Sequence, residues 1–353
     1  MAWDKDKIKE QIITLENRIR NVKTQQELLS LQFDCECLVD IYNMLDHEYP
    51  LTAKKVNLKQ IANDYRKESM ECILENKSDI VRLVRQAEHN PYFHPRCARV
   101  KKITEEKYLS LVEEFLKDFD PDLCSTYHNM MASNIHFDKL KNKKANGLCY
   151  QVYNLNEYYV VTKPTLNKNF DTLPHEMGHV KDFSNINNFQ QNVNFRFSSF
   201  TEAFPKFIAL LFDEYYQETE YKQVCLQQKR SFFDNLRVTS EIYTSILSNA
   251  NTYNLDNETF ISTGLIENNI PKAIVDSMTS DLMAIYMLNL YKKDRSAFNK
   301  LMSNYYRFAG ICEEKIWKML NADDLSNAVK EEVFTFNNDV YKSRKKIKSF
   351  NLF

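Results

Sequence analysis

The segment His175–His179 contains the pattern H-E-x-x-H. On an α-helix, side chains four residues apart lie on the same face, so the two imidazoles can reach one point. Two neutral imidazoles suit a zinc ion, and Glu176, next to the first histidine, is placed to take a proton from a water that the metal activates. The pattern therefore predicts a hydrolytic zinc site with His175 and His179 as metal ligands and Glu176 as the general base.

A catalytic zinc site usually has three protein ligands and one open position. The sequence contains no histidine after His179, so a third ligand from downstream must be a carboxylate. The candidates are Asp182, Glu202, Asp213 and Glu214. Glu202 is favoured because it follows far enough for a loop and a second helix to cross the first, and because a carboxylate in its apolar surroundings needs a cation. A glutamate that only complements a helix dipole is the alternative interpretation of Glu202. Asp182, one turn after His179, is predicted to orient an imidazole through a hydrogen bond.

The elements that must position these residues are mostly helices. The chain has 4 Gly and 8 Pro against 23 Phe and 20 Tyr, and few turn-forming residues favour a helical chain. Asp171 or Thr172 is predicted to cap the motif helix, with Pro174 in its first turn. Apolar residues at helical spacing predict further helices at 4–48 (two helices, with a break near 21–24), 52–88, 104–117, 123–135, 201–216, 219–250, 270–293, 295–308, 312–320 and 325–345. The Asn- and Gln-rich segment 185–194 is predicted to be a loop.

A β-hairpin is the strongest strand signal. Residues 147–153 and 158–162 are rich in β-branched and aromatic residues and flank a predicted turn at 154–157. This hairpin ends shortly before the motif helix. Because the pattern changes at Lys139, we predict a helical N-terminal lobe over 1–138 and a catalytic lobe over 139–353. One continuous catalytic unit is the alternative.

Composition excludes several classes of protein. The net charge of -1 gives no support for a nucleic-acid or anionic-membrane partner. No run of apolar residues is long enough to span a bilayer, and the charged first residues do not resemble a secretory signal. The 8 cysteines are scattered without a C-x-x-C pair, which is typical of reduced thiols. These features predict a cytoplasmic protein, and they do not indicate an oligomeric state.

Several segments together resemble the oligoendopeptidase F and thimet oligopeptidase family of zinc metallopeptidases. Its members have a small-residue strand, a hairpin and T-L-x-H-E-x-G-H in this order, with a glutamate beyond the second histidine as the third ligand, which matches Glu202. The C-terminal part resembles the family's last long helix and closing glycine turn. The segments that carry the resemblance are Lys144-Ala145-Asn146-Gly147, Tyr158-Tyr159-Val160-Val161, Thr172-Leu173-Pro174-His175-Glu176-Met177-Gly178-His179, and Met283 to Leu288 through Phe308-Ala309-Gly310.

The resemblance implies a mainly α, multi-helical, two-lobed zincin fold of the gluzincin type, with a small β-hairpin or sheet next to the active-site helix. It implies one Zn²⁺ ion and the hydrolysis of short, extended peptides. A substrate peptide would pair with the edge strand, because backbone hydrogen bonds give affinity without demanding a particular sequence. The substrate-binding candidates on that strand are Gly147, Leu148, Cys149 and Tyr150.

The chain departs from the family in three ways. It is much shorter than typical members, and Asp182 stands where the family often has a histidine. It also lacks the late histidine that, with tyrosines, binds the substrate carbonyl and stabilises the oxyanion in family members. Tyr253 and Tyr286 are candidates for that role, and a core or surface position is the alternative for both. The sequence as a whole predicts a zinc-dependent metalloendopeptidase. The alternatives are a zinc-retaining protein that binds peptides with little or no hydrolysis, and a helical interaction protein stapled by zinc.

Overall fold

The structure is a computed structural model that describes residues 3–45, 103–137, 147–163, 169–186, 188–252, 270–319 and 322–350. The predicted helix at 52–88 and Tyr253 lie outside the described residues. The described helices are α1 (Lys5–Ile19), α2 (Gln25–Met44), α3 (Glu105–Phe119), α4 (Pro121–Met131), α5 (Thr172–Asn185), α6 (Phe189–Phe195), α7 (Ala203–Tyr216), α8 (Lys222–Thr252), α9 (Ile270–Lys293), α10 (Arg295–Phe308), α11 (Glu313–Met319) and α12 (Ala322–Phe350). The strands are β1 (Ile135–Phe137), β2 (Gly147–Val152) and β3 (Glu157–Thr162). The predicted fold class, mainly α with a small sheet, is confirmed.

Helix starts follow the local sequence. Several helices begin after an Asp or Thr whose side chain accepts hydrogen bonds from first-turn N–H groups, which no helical carbonyl can satisfy. These capping residues are Asp4, Thr24, Thr104, Asp120 and Asp294. In the part of the chain that the structure describes, no helix is both long and apolar enough to cross a bilayer. None of the described cysteines forms a disulfide.

The described residues form two compact units, one running up to Phe189 and the other starting at Gln190. The division into lobes at 138/139 that the sequence predicts stays a prediction. The first unit contains α1 to α5 and the whole sheet. The second contains the remaining helices, of which α9 is the central one. Residues 278–289 of α9 are all buried, as expected for a helix that packs on α7, α8 and α12.

The sheet of the first unit has the strand order β1-β3-β2. β2 and β3 pair antiparallel with Gly147 opposite Thr162, so the predicted hairpin is confirmed. β1 pairs parallel with β3, whereas the sequence predicts a helix over 123–135 and no strand there. The helix ends at Met131, and three residues are too few to give a strand pattern.

Helix α2 holds the turn between β2 and β3. This turn is a 3-10 helix (Tyr153–Leu155) followed by Asn156 in the left-handed region at φ 50°. The fully buried carboxylate of Asp34 accepts the backbone N–H of Tyr153 at 2.8 Å and that of Asn154 at 2.6 Å. The turn is therefore fixed to the core that β2 and β3 share with α1 and α2.

The prediction of a loop over 185–194 is wrong in part, since residues from Phe189 form α6. The Asn and Gln side chains on which the loop prediction was based form hydrogen bonds with the C-terminal end of another helix. Gln191 Nε2 donates to the carbonyls of Tyr306 and Ala309 at 3.1 and 2.6 Å, and Asn194 Nδ2 donates to that of Gly310 at 3.2 Å. They satisfy carbonyls at the C-terminus of α10, which have no helical donor.

Candidate metal centre

The H-E-x-x-H motif lies on α5, as predicted. Asp171 is the N-cap residue of this helix, as predicted. Its side chain, however, accepts no capping hydrogen bond from the first turn. The hydroxyl of Tyr108, on α3, accepts the N–H of Leu173 at 3.3 Å instead. Lys181 forms an ion pair with Asp120 at 2.7 Å, which fixes the other end of the helix to the start of α4. Helices α3 and α4 therefore position the motif.

The two histidines lie one turn apart on α5. Their ring centroids are 5.1 Å apart with an interplanar angle of 81°. His179 is buried and its ring stacks on Phe183 at 5.9 Å, while His175 is half-buried. The ring of Phe183 therefore covers one side of the imidazole of His179. Two imidazoles on one face of a rigid helix are what a metal site of this type requires.

Glu202 occupies the N-cap position of α7, with its side chain half-buried. One ligand atom from each of His175, His179 and Glu202 lies within 4.8 Å of the other two. Two imidazoles and a carboxylate are a donor set that zinc favours, with one position left for water or substrate. The residues present therefore fit a zinc ion. Glu214, another carboxylate candidate, contacts Lys229 and lies 3.7 Å from Lys292 instead.

Glu176 is buried next to the first residue of β2. Its side chain is 4% exposed, and a Cβ atom built on Gly147 would lie 2.4 Å from its Oε1 and 2.7 Å from Cγ2 of Thr172. No side chain can therefore occupy position 147 unless the carboxylate of Glu176 moves. The glycine lets the edge strand approach the general-base candidate directly.

The predicted substrate-binding residues alternate between the two faces of β2. The side chains of Leu148 and Tyr150 pack against the core of α1 and α2. Gly147 contacts α5, so Cys149, two residues on, faces the same side of the sheet. In the described sheet β2 lies at one edge and β1 at the other. The substrate-binding role of these residues stays a prediction.

Asp182 and Tyr286, predicted to orient an imidazole and to stabilise the oxyanion, lie on two different helices. Asp182 is fully buried on α5, three residues after His179, as a residue that orients an imidazole would be. Tyr286 is on α9, where burial and the nearby carboxylate of Asp324 raise the pKa of its hydroxyl. It is separated from Ser280 by about 120° around α9, at roughly 100° per residue. Ser280 contacts the segment that leads to Glu202, and Tyr286 does not share that face. The oxyanion role of Tyr286 and the orienting role of Asp182 stay predictions.

No known protein-family profile matches the sequence, and no curated protein matches it. Two solved structures are similar to the chain. One is a provisionally assigned oligoendopeptidase F from Bacillus anthracis str. Ames, with a TM-score of 0.50, 10% sequence identity and 90% of this chain covered. The other is a provisionally assigned peptidase from Chlamydophila abortus, with a TM-score of 0.51, 14% identity and 96% of this chain covered.

The chain spans 62% of the length of each of these two proteins. At such low identities the similarity shows a shared fold alone. Membership of the family stays a prediction.

Proposed function

We propose that the chain is a zinc-dependent endopeptidase that hydrolyses short or extended peptides. The observation that carries this proposal is the grouping of His175, His179 and Glu202, whose ligand atoms lie within 4.8 Å of one another. A general-base candidate, Glu176, sits on the same helix as the two histidines. The fold shared with two provisionally assigned peptidases supports the same conclusion.

The proposed mechanism assigns the proton transfers to Glu176. A zinc ion held by His175, His179 and Glu202 would supply Lewis acidity toward the scissile carbonyl and toward water. The carboxylate of Glu176 accepts the proton of the attacking water and passes it to the leaving amine. Because Glu176 is only 4% exposed, bulk water competes little for its hydrogen bonds. The backbone of Gly147 lies directly against its carboxylate.

Peptide binding is assigned to the edge of β2 that does not pair with β3. An extended peptide that adds a strand there would be held by main-chain hydrogen bonds, which demand no particular sequence. Gly147 brings this edge into contact with Glu176, so a peptide bound along β2 would run close to the general base. This arrangement favours extended substrates over folded proteins.

The experiment that tests the proposal compares wild-type protein with Glu176→Gln. Each is supplied with zinc and assayed against a library of quenched peptides, and its zinc content is measured. We expect both proteins to hold one zinc ion and only the wild type to cleave, with a loss of about 10²–10⁴-fold or more in the variant. Glu113→Gln, which changes an exposed glutamate on α3, is the matched control and should cleave normally.

Zinc binding without cleavage by the wild type would contradict the peptidase proposal. That result would favour the alternative of a zinc-retaining peptide-binding protein, which binding of the same peptides by fluorescence anisotropy would then test. Equal cleavage by wild type and Glu176→Gln would contradict the role of the general base.

A further inference from the structure

Buried polar side chains from distant parts of the chain hold the turn that carries Glu202. This turn, residues 198–202, connects α6 to α7. The N–H of Ser199 donates to Oε1 of Glu313 at 3.0 Å, and Oγ of Ser280 donates to the carbonyl of Ser199 at 2.7 Å. Both peptide groups next to Ser199 are thus bound by side chains, one from α11 and one from α9. We refer to Glu313 and Ser280 together as the Ser199 clamp.

Glu313 is a carboxylate in a buried position. Its side chain is fully buried, as is Ser199, and burying a carboxylate is costly unless hydrogen bonds compensate it. The next residue, Glu314, is partly exposed and forms a surface ion pair with Lys318. The chain therefore places one of two adjacent glutamates inside the second unit, against the backbone of a single turn.

Ser199 and Glu202 are three residues apart, and hydrogen bonds within the turn connect them. The N–H of Thr201 donates to the carbonyl of Ser198 at 3.4 Å, and that of Ala203 donates to Phe200 at 2.9 Å. The hydroxyl of Tyr305 also donates to the carbonyl of Phe200 at 3.1 Å. The carbonyl of Glu202 accepts the N–H of Lys206 at 3.1 Å. Because these hydrogen bonds hold the backbone on both sides of Glu202, we infer that the position of Ser199 constrains that of Glu202.

We propose that the Ser199 clamp positions Glu202 as a metal ligand. The inference rests on the proposed metal site and adds two residues that act on it without touching the ion. A carboxylate ligand contributes affinity only if it is held near the position that the ion requires, and loss of groups that orient ligands typically weakens metal binding about 10–100-fold. Glu313 and Ser280 are thus positioning residues for Glu202.

The test measures the zinc dissociation constant by competition with a chromophoric chelator. We expect Glu313→Ala to raise the Kd about tenfold. Glu313→Gln should raise it less, because the amide oxygen still accepts the N–H of Ser199. Glu314→Ala is the matched control and should leave the Kd unchanged. In a Glu202→Gln background, Glu313→Ala should cause no further loss, since a residue that acts through Glu202 has nothing left to position.

The outcomes separate this inference from the proposed function. Wild-type protein that binds no zinc would overturn both. If the wild type binds zinc tightly and Glu313→Ala has the same Kd, the clamp alone is overturned. The clamp is also overturned if Glu313→Ala weakens zinc binding by the same factor in the Glu202→Gln background as in the wild type. If circular dichroism shows that Glu313→Ala does not fold, Ser280→Ala takes its place, with the same expected direction. An unchanged Kd in that variant would overturn the clamp.

Discussion

The contact between Gly147 and Glu176 makes a specific prediction for Gly147→Ala. The new Cβ atom would lie 2.4 Å from Oε1 of Glu176 and 2.7 Å from Cγ2 of Thr172, whereas ordinary contacts begin near 3.4 Å. The carboxylate must therefore retreat by about 1 Å, because Thr172 lies in the first turn of α5 and is less free to move.

A displacement of that size is expected to reduce catalysis strongly. Misplacing a reacting group by about 1 Å typically costs about 10²-fold in rate, which corresponds to about 2.7 kcal/mol in activation free energy. We expect kcat/KM for a quenched peptide to fall by about that factor. Overpacking should also lower the free energy of unfolding by about 1–3 kcal/mol. Zinc content should stay at that of the wild type, since none of the three candidate ligands is at position 147.

A double-variant cycle gives the control for this prediction. In a Glu176→Gln background, where the general base is already lost, Gly147→Ala should reduce the residual rate little further. If Gly147→Ala cleaves as fast as the wild type, or if it slows the Glu176→Gln protein by the same factor, the proposed geometry between β2 and the general base is refuted.

Three further predictions concern the elements around the site. Tyr108→Phe removes the acceptor for the N–H of Leu173 and should lower the free energy of unfolding by about 1–2 kcal/mol in thermal denaturation, whereas an unchanged melting temperature would contradict the capping role. Asp34→Ala leaves two backbone N–H groups of the 3-10 turn without their acceptor and should cost about 2 kcal/mol, against little change for exposed Asp40→Ala on the same helix. Burial raises the pKa of Glu157, but hydrogen bonds from Gln11, Lys7 and Tyr159 outweigh it, so its net pKa lies below the ordinary 4.5. Because the folded pKa is the lower one, this stabilisation is present above about pH 4.5 and is lost as the pH falls through the folded pKa. Glu157→Gln should therefore flatten the acid limb of the stability profile, and an identical acid limb would contradict this assignment.

Local pattern was sufficient to predict the elements that carry the site. The hairpin and α5 were predicted close to their true bounds, because alternation, helical spacing and the H-E-x-x-H motif are all local signals. The sequence favours Glu202 for its distance from His179 and its apolar neighbours, and one ligand atom of Glu202 lies within 4.8 Å of both histidines, but its role as a ligand stays a prediction. In the hairpin and α5, local sequence and tertiary structure agree.

The features that were missed depend on contacts between distant parts of the chain. The side-chain amides of Gln191 and Asn194, on α6, bind carbonyls at the end of α10 that lie 115 to 118 positions away. Tyr108 caps α5 from 65 positions away, and Glu313 binds Ser199 from 114 positions away. Neither Tyr108 nor Glu313 has a spacing or a neighbour that marks it in the sequence, so only the tertiary structure identifies its role.

The central claim is that His175, His179 and Glu202 hold one zinc ion. The most direct measurement is the zinc content, by inductively coupled plasma mass spectrometry, of wild-type, His179→Ala and Glu202→Ala proteins purified after exposure to zinc and dialysis. We expect one zinc ion per chain in the wild type, none in His179→Ala and a strongly reduced content in Glu202→Ala. Wild-type protein without zinc, or a full zinc content in His179→Ala, would contradict the account.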